Sequence, residues 1–222
     1  MIQIYYTHIQ AAAHEALLRT YLPLFSVPFQ RKVNRYRRWQ DAQLSLLGRM
    51  LLWQGMENFG ERYTDQTLQF TAPRKPFFKQ SELQFNISHS GELVACAISK
   101  TGEIGIDVEW RVDLEIKDFK SQMTDREWQR VTTAKDSLKE FYIYWTEKEA
   151  VIKAQGEGLS IPLQSFEIFN RCTQIYGKSF FLRELSLDDR YQCFIATPYL
   201  IDQLPMKITA VDTITFPLTL LR

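Results

Sequence analysis

The segment Gly105-Ile106-Asp107-Val108-Glu109-Trp110 sets two carboxylates two residues apart. In an extended strand that spacing sends Asp107 and Glu109 out of one face and Val108 out of the other, toward the core. Two carboxylates held this close repel one another and raise at least one pKa unless a cation neutralises them. Magnesium binds through one or two carboxylates plus water and phosphate oxygens, so the pair suits that ion where a phosphorylated substrate completes the shell. The competing reading is an exposed strand face carrying two solvated acids.

A third carboxylate, Glu149, lies in WTEKEAVIKAQGEGL. On a helix Trp145, Glu149 and Lys153 share one face at i, i+4 and i+8, with Lys148 to the side, a setting for metal or phosphate work. Thr146-x-x-Glu149 also fits a capping box ahead of an apolar run, so a purely structural role competes. In FNISHSG, Ser88, His89, Ser90 and Gly91 end a short strand, where hydroxyls, imidazole and backbone N–H groups can converge on an anion. A plain turn is the other reading. Neither serine sits in a G-x-S-x-G elbow, and His8 and His14 have no placement that builds a triad. Dinucleotide and P-loop glycine motifs, H-E-x-x-H and zinc-spaced Cys/His clusters are absent. Phosphate binding therefore falls to scattered cations, and Arg31, Arg35, Lys75, His89 and Lys153 are the candidates.

These residues need elements to hold them. Residues 2 to 9 read as a strand and 11 to 22 as a short helix ending before Pro23. From Pro28 to Phe59 apolar residues recur at three- and four-residue spacings, which predicts one or two helices with a basic exposed face. Residues 64 to 84 are turn-rich, with Pro73 and Pro76 bracketing Arg74 and Lys75. FNIS and LVACAIS, joined at His89-Ser90-Gly91, predict an antiparallel pair, followed by IGIDVEW as a further strand. A helical region is expected over 124 to 155 with a break near 133 to 138. Beyond it SFEIF, SFFLREL, YQCFIAT and MKITAV alternate as strands. Each half thus supplies helices and strands, and YQCFIATP echoes LVACAISK. The expectation is an α+β fold of two similar subdomains, 1–103 and 104–222.

Composition limits the function classes. A chain of 222 residues with 15 Phe, 10 Tyr and 5 Trp builds a core without staples. Net charge is only +1, which gives no global field for nucleic acid, but QRKVNRYRR at 30 to 38 concentrates five cations, enough for a small phosphorylated ligand. Cys96, Cys172 and Cys193 cannot all pair and sit among apolar or β-branched neighbours, which reads as buried thiols in a reducing compartment. The first residues lack a signal-peptide pattern, and no 18-residue apolar run occurs. Neither secretion nor membrane spanning is indicated.

Taken together and in this order, FNISHSGELVACAI, IGIDVE and WTEKEAVIKAQGEGL, closing on Leu159, resemble the 4'-phosphopantetheinyl transferases of the surfactin-synthetase-activating type. RYRRWQDAQLSLLGR, with Asp41, Leu46, Gly48 and Arg49, and the Arg-Lys-Pro at 74 to 76 add support. Beyond residue 160 only the strand pattern matches. The resemblance implies a pseudo-twofold pair of α/β subdomains with the active site in the cleft between them. It also implies transfer of phosphopantetheine from coenzyme A to a serine of an apo acyl or peptidyl carrier protein, with release of adenosine 3',5'-bisphosphate.

By the same resemblance Asp107, Glu109 and Glu149 hold magnesium, and Lys153 contacts the pyrophosphate and neutralises the leaving group. Ser88 and His89, with Lys75, bind the 3'-phosphate, Arg31 and Arg35 lie near the nucleotide, and Glu149 takes the serine proton. The expected enzyme is a cytoplasmic monomer serving carriers of secondary metabolism, with docking over residues 111 to 135 and no nucleic-acid or membrane partner. One departure stands out: Gln43 and Leu44 occupy the stretch between Asp41 and Leu46-Leu47-Gly48 where the family often has arginine or histidine. Two other classes remain open from the residues alone, a non-catalytic nucleotide-binding module and a metal-dependent hydrolase.

Overall fold

A computed structural model describes residues 1–71 and 75–212. Pro73 and Arg74, expected in a non-helical turn, lie outside the described residues. Along the chain stand β1 (Ile2–His8), α1 (His14–Tyr21), α2 (Val27–Val33), α3 (Trp39–Asn58), β2 (Leu68–Phe70), β3 (Pro76–Phe78), β4 (Gln84–Ser90), β5 (Leu93–Ser99) and β6 (Gly105–Trp110). Then follow α4 (Asp125–Thr133), α5 (Ser137–Gln155), β7 (Cys172–Ile175), β8 (Lys178–Glu184), β9 (Tyr191–Thr197) and β10 (Met206–Ala210). The basic stretch from Pro28 to Phe59 is two helices, and the helical region after 124 breaks between Thr133 and Ser137.

Two four-stranded sheets carry the fold, one in the order β10-β1-β5-β4 and the other β6-β9-β8-β7. Strand alternation assigns their faces. Ile2, Ile4, Leu93, Ala95 and Ala97 of the first sheet pack against Ile106, Val108, Cys193 and Ile195 of the second. The opposite parity of the first sheet, Tyr5, Val94, Cys96 and Ile98, packs under Leu47, Met50 and Leu51 of α3. In the second sheet Phe194 and Ala196 pack under Ala150, Val151 and Ala154 of α5. The layers run helix, sheet, sheet, helix. Since β5 and β9 are covered on both faces, they read as continuous apolar runs, and every residue of each is buried.

Two features differ from the sequence reading. SFEIF is not a strand: Leu163–Ser165 is a 3-10 turn, and Phe169 makes only an isolated bridge to Cys172. The buried Lys148 ammonium takes the Leu163 and Phe166 carbonyls, which removes them from any ladder. In addition β10 pairs parallel with β1, Ile2 opposite Met206, so residues 206–210 belong to the sheet of the first half.

Candidate active site

α5 lies directly on β6 because Gly105 has no side chain. A methyl group at that position would overlap the Ala150 carbonyl and the Ala154 amide. With Ile106 and Val108 in the inter-sheet core, parity turns Asp107 and Glu109 toward α5, where Asp107 pairs in register with Phe194. α5 presents Trp145, Glu149 and Lys153, each only partly buried, on one stripe. Asp107 itself is 2% exposed, so the solvated-face reading of this pair does not hold.

The closest contact in the cluster joins Lys153 Nζ to Asp107 Oδ1 at 2.5 Å. Lys153 Nζ also donates to Ser88 Oγ at 3.0 Å, and Ser88 Oγ donates to Asp107 Oδ1 at 3.1 Å. Ser90 Oγ donates to Glu109 Oε2 at 2.7 Å. Burial, and then the neighbouring Asp107 charge, push the Glu109 carboxyl up to about 7. Glu149 is raised from its ordinary value as well, by burial first and with Asp107 adding, while Lys153 opposes the shift.

Capping does not explain Glu149. The helix begins nine residues before Thr146, with Asp136 accepting from the Lys139 N–H as its N-cap. Thr146 is mid-helix, and its hydroxyl donates back to the Tyr142 carbonyl at 2.6 Å. The capping box of this region is Thr124 with Glu127, at the start of α4. Sequence pattern placed the box wrongly because the apolar run after Thr146 continues a helix already under way.

Among the described residues, no three His, Cys, Asp or Glu side chains stand as a ready metal cage. The donor set nevertheless fits a hard divalent cation. Among the described residues Asp107 Oδ2 is buried without a hydrogen-bond partner, and Glu109 and Glu149 lie within electrostatic reach of Asp107, both held above their ordinary pKa.

β4 divides the predicted anion-binding residues between its two faces. Phe85, Ile87 and His89 line a cavity of about 640 Å³, with Lys32, Tyr36, Leu44 and Arg49 among the other walls. Arg31 and Arg35 line an adjoining cavity of about 570 Å³ that shares Pro28, Lys32 and Tyr36. The cleft walls and then Lys153 hold the His89 pKa below its ordinary value. Asn86, Ser88 and Ser90 leave the other face toward β6, so Ser88 stands with Asp107 and Lys153 and apart from His89. Lys75 is separate again: its ammonium donates to the Ala154 carbonyl at 3.0 Å, and burial lowers its pKa to about 8.

Gln43 is fully buried, and its amide clamps the Gln10 backbone from both sides, accepting from N–H at 2.9 Å and donating to C=O at 3.0 Å. Leu44, in contrast, is a pocket wall. The substitution that bears on the pocket is therefore at 44. Trp110 is 41% exposed and packs on Gly91, whose φ of +55° and lack of a Cβ admit the indole ring. It lies outside the buried core. Sequence reasoning left Ser90 without a partner and treated Lys148 only as a flanking charge. Lys148, 1% exposed at its side chain, pairs with Glu127 at 2.6 Å and ties α5 to α4. The even spacing of Asn86, Ser88 and Ser90 against Ile106, Val108 and Trp110 was the available signal for the serines.

Comparison with known proteins gives two family matches. A model described as the 4'-phosphopantetheinyl transferase superfamily matches residues 103–206, and one described as 4'-phosphopantetheinyl transferase, N-terminal, matches residues 18–101. The chain is 34% identical over 155 residues to the 4'-phosphopantetheinyl transferase gsp of Aneurinibacillus migulanus, covering 65% of this chain and 62% of that protein. It is 30% identical over 154 residues to the 4'-phosphopantetheinyl transferase Sfp of Bacillus subtilis, covering 67% of each. It is 27% identical over 192 residues to the L-aminoadipate-semialdehyde dehydrogenase-phosphopantetheinyl transferase of Xenopus laevis, covering 78% of this chain and 63% of that protein. The chain thus matches somewhat under two thirds of the length of the gsp and Xenopus relatives.

Proposed function

The chain belongs to the 4'-phosphopantetheinyl transferase superfamily, and from that membership we propose that it moves 4'-phosphopantetheine from coenzyme A to a serine of an apo acyl or peptidyl carrier protein. The observation that carries this reading is the buried Asp107, with Lys153 on one oxygen, no hydrogen-bond partner among the described residues on the other, and Glu109 and Glu149 in electrostatic reach. Lys153 also acts electrostatically on His89 in the basic pocket. A pure nucleotide binder has no use for three acids beside a polyanion.

Asp107, Glu109 and Glu149 would hold magnesium. When bound, that ion supplies charge neutralisation to the pyrophosphate. In the proposed step the carrier serine oxygen forms a bond to the β-phosphorus, the bond from that phosphorus to the bridging oxygen breaks, and adenosine 3',5'-bisphosphate departs. Glu149 is the carboxylate assigned to accept the serine proton. Lys153 meets the charge that builds on the leaving phosphate, and the rest of the work is positioning. His89 with Lys32, Arg31 and Arg35 receives the adenosine phosphate in the basic cavities. Ser88 and Lys75 approach that nucleotide only at the edges of the cleft, since their polar atoms are committed to Asp107 and to the Ala154 carbonyl.

The proposed division near residue 103, with 206–210 returning to the first sheet, puts Ser88 and His89 in one subdomain and the acids with Lys153 in the other. Carriers of secondary metabolism dock over 111 to 135, which includes the exposed Val112 and follows the exposed Trp110. We place the enzyme in the cytoplasm as a monomer without nucleic-acid or membrane partners. Its support is threefold: free Cys96, Cys172 and Cys193, the whole acid cluster contributed by one chain, and a net charge of +1. Among the described residues no helix is long and apolar enough to cross a membrane.

The test is mass spectrometry of an apo carrier incubated with enzyme, coenzyme A and magnesium. The carrier gains one phosphopantetheine group, and chelation of the metal abolishes the gain. Release of free phosphopantetheine with an unmodified carrier would establish a hydrolase instead.

A further inference from the structure

Among the described residues β6 has a strand partner, β9, on one edge only. Its other edge faces β4, which is not ladder-paired with it, and side chains fill the place of strand carbonyls. The Ile106 N–H donates to Asn86 Oδ1 at 2.9 Å, the Val108 N–H to Ser88 Oγ at 3.3 Å and the Trp110 N–H to Ser90 Oγ at 3.1 Å. Each acceptor lies 20 residues before its donor. Unpaired backbone donors are costly at the two buried rungs, Ile106 and Val108, which accounts for the polar side chains there, while the Trp110 rung lies toward the surface.

A hydroxyl that accepts from an N–H still has its own proton to give. Ser88 gives it to Asp107, and Ser90 gives it to Glu109 Oε2 at 2.7 Å. The two rungs that oppose the acid pair are serines, whereas the rung without a carboxylate opposite is Asn86. Ser88 is also tied to Lys153, so its removal disturbs several groups together. The described hydrogen bonds of the Ser90 hydroxyl involve only the Trp110 amide and Glu109.

We propose that Ser90 is a positioning residue for Glu109: held by the Trp110 N–H, its hydroxyl fixes the carboxylate in the orientation in which it serves as a magnesium ligand. This rests on the transferase reading above. It adds that the first half of the chain controls the metal affinity of a carboxylate in the second half, through one hydrogen bond across the seam.

The test compares Ser90→Ala and Ser90→Thr with the parent, using calorimetric titration of magnesium into the coenzyme A-bound protein and hydrogen exchange at the Trp110 amide. Loss of a hydrogen-bond partner to a metal ligand lowers metal affinity by about 10 to 100-fold, so S90A shifts the magnesium midpoint upward by that factor and exchanges the Trp110 amide faster. S90T keeps the Oγ and restores both. Should S90A fold poorly, Ser90→Cys keeps the volume, weakens both hydrogen bonds and shifts the same midpoint in the same direction by less. A parent that binds magnesium beside an S90A or S90C variant with an unchanged midpoint overturns the role of Ser90 alone. A purely structural serine would lower the melting temperature and leave the midpoint in place. A parent with no magnesium response overturns the transferase reading, and the assignment of Ser90 with it.

Discussion

Lys153 Nζ on α5 lies 2.5 Å from Asp107 Oδ1 on β6, while the second oxygen of the same carboxylate is buried without a hydrogen-bond partner among the described residues. One acid thus has two different sides. The lysine side fixes the strand to the helix, and the other side is the one the proposed function assigns to a magnesium ion.

Removing that lysine strands a charge. Lys153→Met leaves Asp107, 3% exposed at its side chain, without its cationic partner. Breaking a fully buried pair costs about 3 to 5 kcal/mol, and because Lys153 is itself 27% exposed the expected loss is about 2 to 4 kcal/mol in urea unfolding. Adding Asp107→Asn recovers part of it, since the double variant has no orphaned charge. Losses that simply add would mean the pair is not coupled.

Glu149→Gln separates catalysis from stability. The structure removes the capping role, and burial already disfavours the charged form of Glu149, so a neutral amide leaves the melting temperature nearly unchanged. Loss of the base lowers phosphopantetheine transfer at saturating magnesium and coenzyme A by at least about 100-fold. A transfer rate close to the parent's would return the proton-accepting role to another group.

Gly105→Ala tests whether the close approach of α5 to β6 sets the site. The added methyl meets backbone of Ala150 and Ala154, which cannot rotate away, so the helix must shift and carry Glu149 and Lys153 with it. Overpacking of this kind costs about 1 to 3 kcal/mol. A displacement near 1 Å lowers a positioned reaction by about 100-fold, measured as kcat/KM for the carrier on the folded fraction. Full activity with reduced stability would show that the acids reach their partners without this contact.

Lys148→Met isolates the purely structural lysine of the same helix. Its ammonium pairs with Glu127 at 2.6 Å and donates to the Leu163 carbonyl at 2.9 Å, all out of water. The variant leaves Glu127 buried and unpaired and loses about 3 to 5 kcal/mol by chemical denaturation. Activity per folded molecule stays near the parent value, in contrast to Lys153→Met, where it falls.

What the sequence determined by itself is what short-range periodicity carries. Alternation put Asp107 and Glu109 on one strand face, and helical spacing put Trp145, Glu149 and Lys153 on one stripe, because both depend only on neighbours within a few residues. LVACAIS and YQCFIAT were legible as strands, but that both faces of each are covered came only from the packing. Partner choice is a long-range matter, and there the tertiary structure decided. Alternation alone could separate Ser88 from His89, but only packing against β6 made Ser88 and Ser90 companions of the acids. Thr146-x-x-Glu149 matched a capping box, yet the break expected near 133 to 138 is the real helix start, at Ser137, which leaves Thr146 mid-helix. Leu44 became the pocket wall and Gln43 the clamp on Gln10 through the rotation of α3 against the first sheet. The return of β10 to β1 joins residues about 200 positions apart, and closing so long a loop leaves no local trace in the sequence, since its cost is entropic and its reward is the backbone ladder formed at the end.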